Sequence, residues 1–185
     1  MQIFMIGSER VLSRRANTGM GTPRLQPMRE ANLRRKVVGL RIDCAPARPA
    51  LDRYSRLVVP QKLGDLEEPG ASVAQIRAYF DGLVRDLLSP EGRQGCLLIN
   101  SAIENAAVDP EVAAVVRGHM ARLERCFTGA LRTAIDLGEI PALVNVTAVA
   151  KGLVATASGL MVVGKANPDE EVLRIIVDNA FAGLM

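Results

Sequence analysis

Between Asp109 and Gly138 the chain carries a helix-length stretch with a start signal, a stop signal and a continuous apolar face. A rod that long is covered most readily by other helices, so this one segment already points to a bundle. Asp109 is a good N-cap, Pro110 takes the first helical position where its missing N–H costs nothing, and Glu111 places an acid at the positive end of the helix dipole. Val112, Val115, Val116, His119, Met120, Leu123, Phe127, Leu131 and Ile135 then recur at helical spacing. Gly138 supplies the C-terminal stop.

Shorter segments on both sides follow the same grammar. Leu51 to Leu66 predicts a helix that Pro60 kinks or divides, ending at Pro69-Gly70. Ser72 to Leu88 starts with a capping box, Ser72 with Gln75, and repeats Val73, Ile76, Phe80, Leu83, Val84 and Leu87 before Pro90 stops it. Cys96 to Ala107 predicts a small apolar helix, Asn145 caps another over Val146 to Val163, and Asn167-Pro168-Asp169-Glu170-Glu171 opens a last one that runs to Leu184. Tryptophan is absent and aromatics are 3% of the chain, which favours close-packed helices over an aromatic-rich sandwich. The expected fold is an all-α antiparallel helical bundle over residues 50–185.

Residues 1–49 read differently. Gly19, Gly21, Pro23, Pro27, Gly39, Pro46 and Pro49 interrupt every candidate element except a short helix over Met28 to Val38. Met1 to Ala50 holds ten Lys/Arg against three Asp/Glu, whereas Leu51 to Met185 holds thirteen against seventeen. Such a basic segment is a solvated, disordered tail or a nucleic-acid arm, and without a folded element it predicts weak, salt-dependent duplex binding and no base discrimination. The apolar start, Met1 to Gly7, is too short for a signal-peptide core, and Gly152 to Gly164 is too short for a membrane helix, which needs about 20 residues. Cys44, Cys96 and Cys126 are odd in number and scattered, which fits a reducing cytoplasm and no membrane.

Catalytic chemistry finds no foothold: the sequence contains no His-Glu-x-x-His, no Gly-x-Ser-x-Gly elbow and no phosphate-binding Gly-x-x-x-x-Gly-Lys loop, so no catalytic residue, metal or cofactor is expected. His119, the single histidine, is either a hydrogen-bonded structural residue of the long helix or a ligand contact. Asn100, Ser101, Glu104 and Asn105 crowd a short apolar helix. They face solvent, or else Asn100 or Glu104 points into an apolar cavity to orient a ligand.

Gly152, Ala155, Ala157, Ser158 and Gly159 lower the helix propensity of their segment but allow another helix to come close. The last helix is apolar over more than half its circumference, although one covered face would suffice at a chain terminus. A homodimer through the last two helices would cover both, with Leu153, Thr156, Gly159, Leu160, Val163, Val172, Ile176 and Ala180 at its interface.

Several short runs, weak singly, acquire meaning from their order: Ala50-Leu51-Asp52-Arg53-Tyr54, Gly95-Cys96-Leu97-Leu98-Ile99-Asn100 with Glu104, Asp109-Pro110-Glu111-Val112, Leu123 to Phe127, and Ala166-Asn167-Pro168-Asp169. In that order they resemble the C-terminal regulatory domain of the TetR/AcrR transcriptional repressors, from about Ala50 to Leu184. The resemblance implies a homodimer joined by its last two helices and an effector cavity in each subunit, walled by Phe80, Ile99, Ile103, Met120, Leu123 and Phe127 and coupled to a DNA-binding head. The expected effector is small and apolar, oriented by Asn100 or His119. Residues 1–49 show neither the family's helix-turn-helix nor its aromatic approach to the linker helix, so its DNA-reading residues find no positions here. A displaced reading frame or start over these residues would account for the abrupt change at Ala50. Besides a TetR-like regulator, the alternatives are a stand-alone dimerisation or small-molecule-binding protein and an unrelated helical enzyme.

Overall fold

Pro60 decides how the chain enters the bundle. In the computed structural model, which describes residues 47–184, the first helix, α1 (Ala47–Leu57), stops just ahead of it, and α2 (Val59–Leu63) begins with Pro60 in its first turn. The proline thus interrupts the predicted Leu51 to Leu66 helix at Val58, whose own backbone stays near helical values at φ −95° and ψ −43°. Leu51, Val59, Leu63 and Leu66 are the buried anchors of this leading segment, the last from a 3₁₀ turn, Gly64–Glu67. Pro49, expected to interrupt structure, lies near the start of α1, where a proline is tolerated. The other expectations for residues 1–46 lie outside the described residues.

The next helix, α3 (Val73–Leu88), starts as its capping box requires, with the Ser72 backbone N–H donating to Gln75 Oε1 at 2.8 Å. A 3₁₀ turn, Gly92–Gln94, leads to α4 (Leu97–Glu104), shorter than the sequence predicts. The long helix, α5 (Pro110–Asp136), is capped by Asp109, whose carboxylate accepts from the N–H groups of Glu111 and Val112. Its far end closes on Gly138 at φ +73°, with Gly138 N–H donating to Ile135 O and Glu139 N–H to Ala134 O. That pair of bonds needs a left-handed residue, which glycine adopts without strain.

Asn145 caps α6 (Val146–Ala166) and Asp169 caps α7 (Glu170–Phe181). The described residues contain these seven α-helices and no strand, so the all-α expectation holds. α5 and α6 form the central pair, α3 packs on both, α4 and α1 lean on α5, and α7 closes the layer over α6 and α3. Two arginine bridges tie α3 to α7, Arg77 to Asp178 and Arg174 to Asp81. Arg77 also stacks its guanidinium over Phe181, 4.9 Å from the ring centre.

The core is aliphatic apart from one aromatic knot. Phe80 and Phe127 stack with centroids 5.9 Å apart, Phe181 meets Phe80 edge-on at 5.8 Å, and Tyr79 stands edge-on to both Phe80 and Phe127. Phe80 and Phe127 are completely buried, so the knot fixes the rotation of α3 against α5.

Candidate functional site

Tyr79 is held on two sides by phenylalanines, and what remains of it borders open space. A pocket of about 290 Å³ lies between the leading helices and the bundle core. Tyr54 comes from α1, Val59, Lys62 and Leu63 from α2, Tyr79, Leu83, Asp86 and Leu87 from α3, His119 from α5 and Met161 from α6. Cys96 and the Ser89 to Gly95 connection complete it. Behind it is a second, nearly filled space of about 20 Å³, lined by Ile99, Met120, Leu123, Ala157 and Ser158. Tyr79, Cys96, His119 and Met161 border both.

The polar groups sort by depth. At the mouth the Lys62 ammonium pairs with the Asp86 carboxylate, each side chain still well exposed. Further in, the Tyr54 hydroxyl donates to Cys96 Sγ at 3.8 Å. Burial, and then the nearby Cys96, push the Tyr54 and Tyr79 phenols well above their ordinary range, so both remain neutral hydroxyls. His119 Nδ1 is buried and has no hydrogen-bond partner among the described residues. Burial, helped by the positive charge of Arg122, lowers its pKa and favours the neutral ring.

The wall of α2 is strapped from below. Arg122 on α5 makes a two-pronged bond to Glu67 in the turn after α2, with both N···O distances 2.6 Å and both side chains about 30% exposed. Cys126 lies beside it, 3.9 Å from Glu67 Oε1, and burial raises its thiol pKa. Among the described residues no three His, Cys, Asp or Glu side chains gather as metal ligands.

The expected cavity residues separate into three groups. His119 borders the open pocket, while Ile99, Met120 and Leu123 border only the nearly filled space behind it. Phe80 and Phe127 lie one layer deeper, and their stacking positions Tyr79 without reaching the pocket. Asn100 and Ile103 leave the site altogether. Asn100 donates to the Gln94 carbonyl at 2.9 Å and accepts from Lys165 Nζ at 3.1 Å, bracing the α3–α4 connection, and Ile103 is 65% exposed. Ile103 is itself within α4, whose inward face is made by Leu98, Ile99 and Ser101. Tyr54, Tyr79, Cys96 and Met161 carry no signal in the sequence because only tertiary packing brings four separate helices and connections to one point.

A second surface lies along α6 and α7. Leu153 and Leu160, expected at a subunit interface, are 2% and 0% exposed and belong to the core instead. They sit on the α6 face defined by Ala150, Leu153, Ala157, Leu160 and Gly164, which packs inward. Gly152, Ala155, Gly159 and Val162 on α6 and Ile175 on α7 are exposed, with Thr156, Val163, Val172, Ile176 and Ala180 half-buried beside them. By length and mean hydropathy α6 is long and apolar enough to cross a membrane, and 22% of its apolar window is buried within the bundle.

The described residues thus form a seven-helix bundle with a pocket beneath its leading helices and an apolar outer face on its last two. The model described as tetracyclin repressor-like, C-terminal domain, matches residues 72–179, and the chain belongs to that family. An uncharacterized HTH-type transcriptional regulator of Bacillus subtilis (strain 168), YezE, is 34% identical over 114 residues, 61% of this chain and 59% of that protein. The chain thus spans about 59% of that relative's length. No solved structure matches the chain.

Proposed function

We propose that this chain is the sensing and self-associating part of a transcriptional regulator, with a small apolar molecule as effector and a second copy of itself as partner. The observation that carries the sensing reading is the make-up of the pocket. Its walls come from α1 and α2 as well as from the core helices α3, α5 and α6, so occupancy bears directly on the leading helices. Pairing is supported by the exposed apolar strip of α6 and α7, which includes Val162 at 45% and Ile175 at 53% exposure. With that strip covered, the dimer is a soluble cytoplasmic protein that performs no catalytic step.

A thermal-shift screen of uncharged apolar compounds tests the sensing. A ligand at about 100 times its dissociation constant should stabilise the fold by roughly 2.7 kcal/mol. Met161→Trp, which fills the pocket from α6, should abolish the shift, and an equal response from both proteins would sink the pocket reading. DNA is the partner expected of such a regulator. The sequence of residues 1–49 offers no groove-reading element, so we expect weak binding that declines with salt. Tight binding to one duplex against excess random competitor would overturn that expectation.

A further inference from the structure

We propose that the effector carries a hydroxyl on an otherwise apolar, uncharged body, and that His119 is the residue that selects it. This deepens the sensing reading above and rests on it. Size sets the first limit, because about 290 Å³ is at the small end of ligand cavities, which start near 300 Å³. Charge sets the second. Lys62 and Asp86 at the mouth already neutralise each other, Glu91, the other charged residue of the lining, is exposed, and Tyr54, Tyr79, Leu83, Leu87, Cys96 and Met161 further in offer no counter-ion. An ion passing the mouth would lose its hydration with nothing to replace it.

The third limit comes from the inner end. His119 lines the pocket, and its Nδ1 is buried without a partner, an arrangement that structures seldom tolerate unless something else supplies the bond. Its ring stays neutral, so one nitrogen carries a proton and the other a lone pair. A hydroxyl both donates and accepts, and so satisfies Nδ1 in either tautomer, whereas a carbonyl or an N–H serves only one. The ring also borders the nearly filled space behind the pocket, leaving a ligand little room to slide past it.

Titration calorimetry on the full chain with a matched pair, 4-propylphenol and propylbenzene, tests the assignment. The parent should prefer the phenol, and His119→Phe should cut that preference about tenfold, the worth of one hydrogen bond. His119→Asn, which restores an amide near the Nδ1 position, should retain it and exclude a merely structural effect. Met161→Trp should lose both probes. A preference unchanged in His119→Phe would overturn the role of His119 while leaving the pocket in place. That role is equally overturned if other apolar compounds shift the melting of the parent but not of Met161→Trp, and neither probe binds. Failure of every compound, or binding that Met161→Trp leaves intact, would overturn the pocket and the hydroxyl-bearing effector together.

Discussion

Gly164 on α6 faces Leu87 on α3 so closely that a Cβ built on the glycine would lie 2.7 Å from Leu87 Cδ1 and 3.1 Å from its Cβ. Leu87 is 1% exposed and also lines the pocket. Any side chain at position 164 must therefore displace Leu87, which has the pocket beside it. Gly164→Ala gains about 1 kcal/mol in helix propensity and loses about 1–3 kcal/mol to overpacking, for a net loss near 1 kcal/mol. Urea denaturation should show that loss, and ligand-induced stabilisation should shrink as Leu87 enters the pocket. A variant that melts and binds like the parent would mean the two helices separate more freely than their packing implies.

Five residues earlier, Gly159 has open space where Gly164 has a neighbour. Gly159→Glu should leave the subunit folded, with its helical circular dichroism intact, yet separate the proposed dimer in sedimentation experiments. Leu160→Ala, one position on but fully buried, should instead cost about 2–5 kcal/mol through the cavity it leaves. If Gly159→Glu leaves the mass at twice that of one chain, the pairing face lies elsewhere.

Leu123 gives a contrasting expectation. It is 2% exposed and borders only the 20 Å³ space, so Leu123→Trp has nowhere to place an indole. Overpacking by about 1–3 kcal/mol should follow, measured as a lower midpoint in urea, whereas the half-buried Met161 should accept a tryptophan with smaller loss.

Acid sensitivity should trace to His119. Burial holds its pKa in the folded chain below the ordinary 6.5, so above pH 6.5 neither folded nor unfolded chain takes up the proton. As the pH falls below 6.5 the unfolded chain binds it first, and stability declines until the lowered folded value is passed. His119→Phe should flatten this part of the stability profile. The same slope in parent and variant would assign it to other groups.

How much of this can be read from the sequence depends on how local each signal is. The caps at Asp109, Asn145 and Ser72, the division at Pro60 and the stop at Gly138 act within a few residues, and each element begins or ends where they stand. Membership of the family is legible because runs such as Asp109-Pro110-Glu111-Val112 follow one another in a recognisable order, and this run falls within the matched residues 72–179. The pocket is only half legible. His119 stands out as the lone histidine, but periodicity cannot tell an aromatic that walls a cavity from one that props its neighbour, and Phe80 and Phe127 prop Tyr79. Likewise the apolar count on α6 cannot say that Leu153 and Leu160 face inward while Gly159 and Val162 face out, since helical spacing gives relative faces and not their orientation in the bundle.

The ion pair at the pocket mouth has a bearing on speed. Lys62 and Asp86 retain 47% and 38% of their side-chain exposure, so parting them costs at most about 1 kcal/mol. Exposed side chains swing apart in roughly nanoseconds, far faster than helices rearrange. On the proposed reading, arrival of an uncharged effector is therefore limited by its collisions with the mouth, and its residence time by the grip of the pocket wall. Such a sensor follows a falling effector concentration as promptly as its affinity allows, with no delay imposed by a gate.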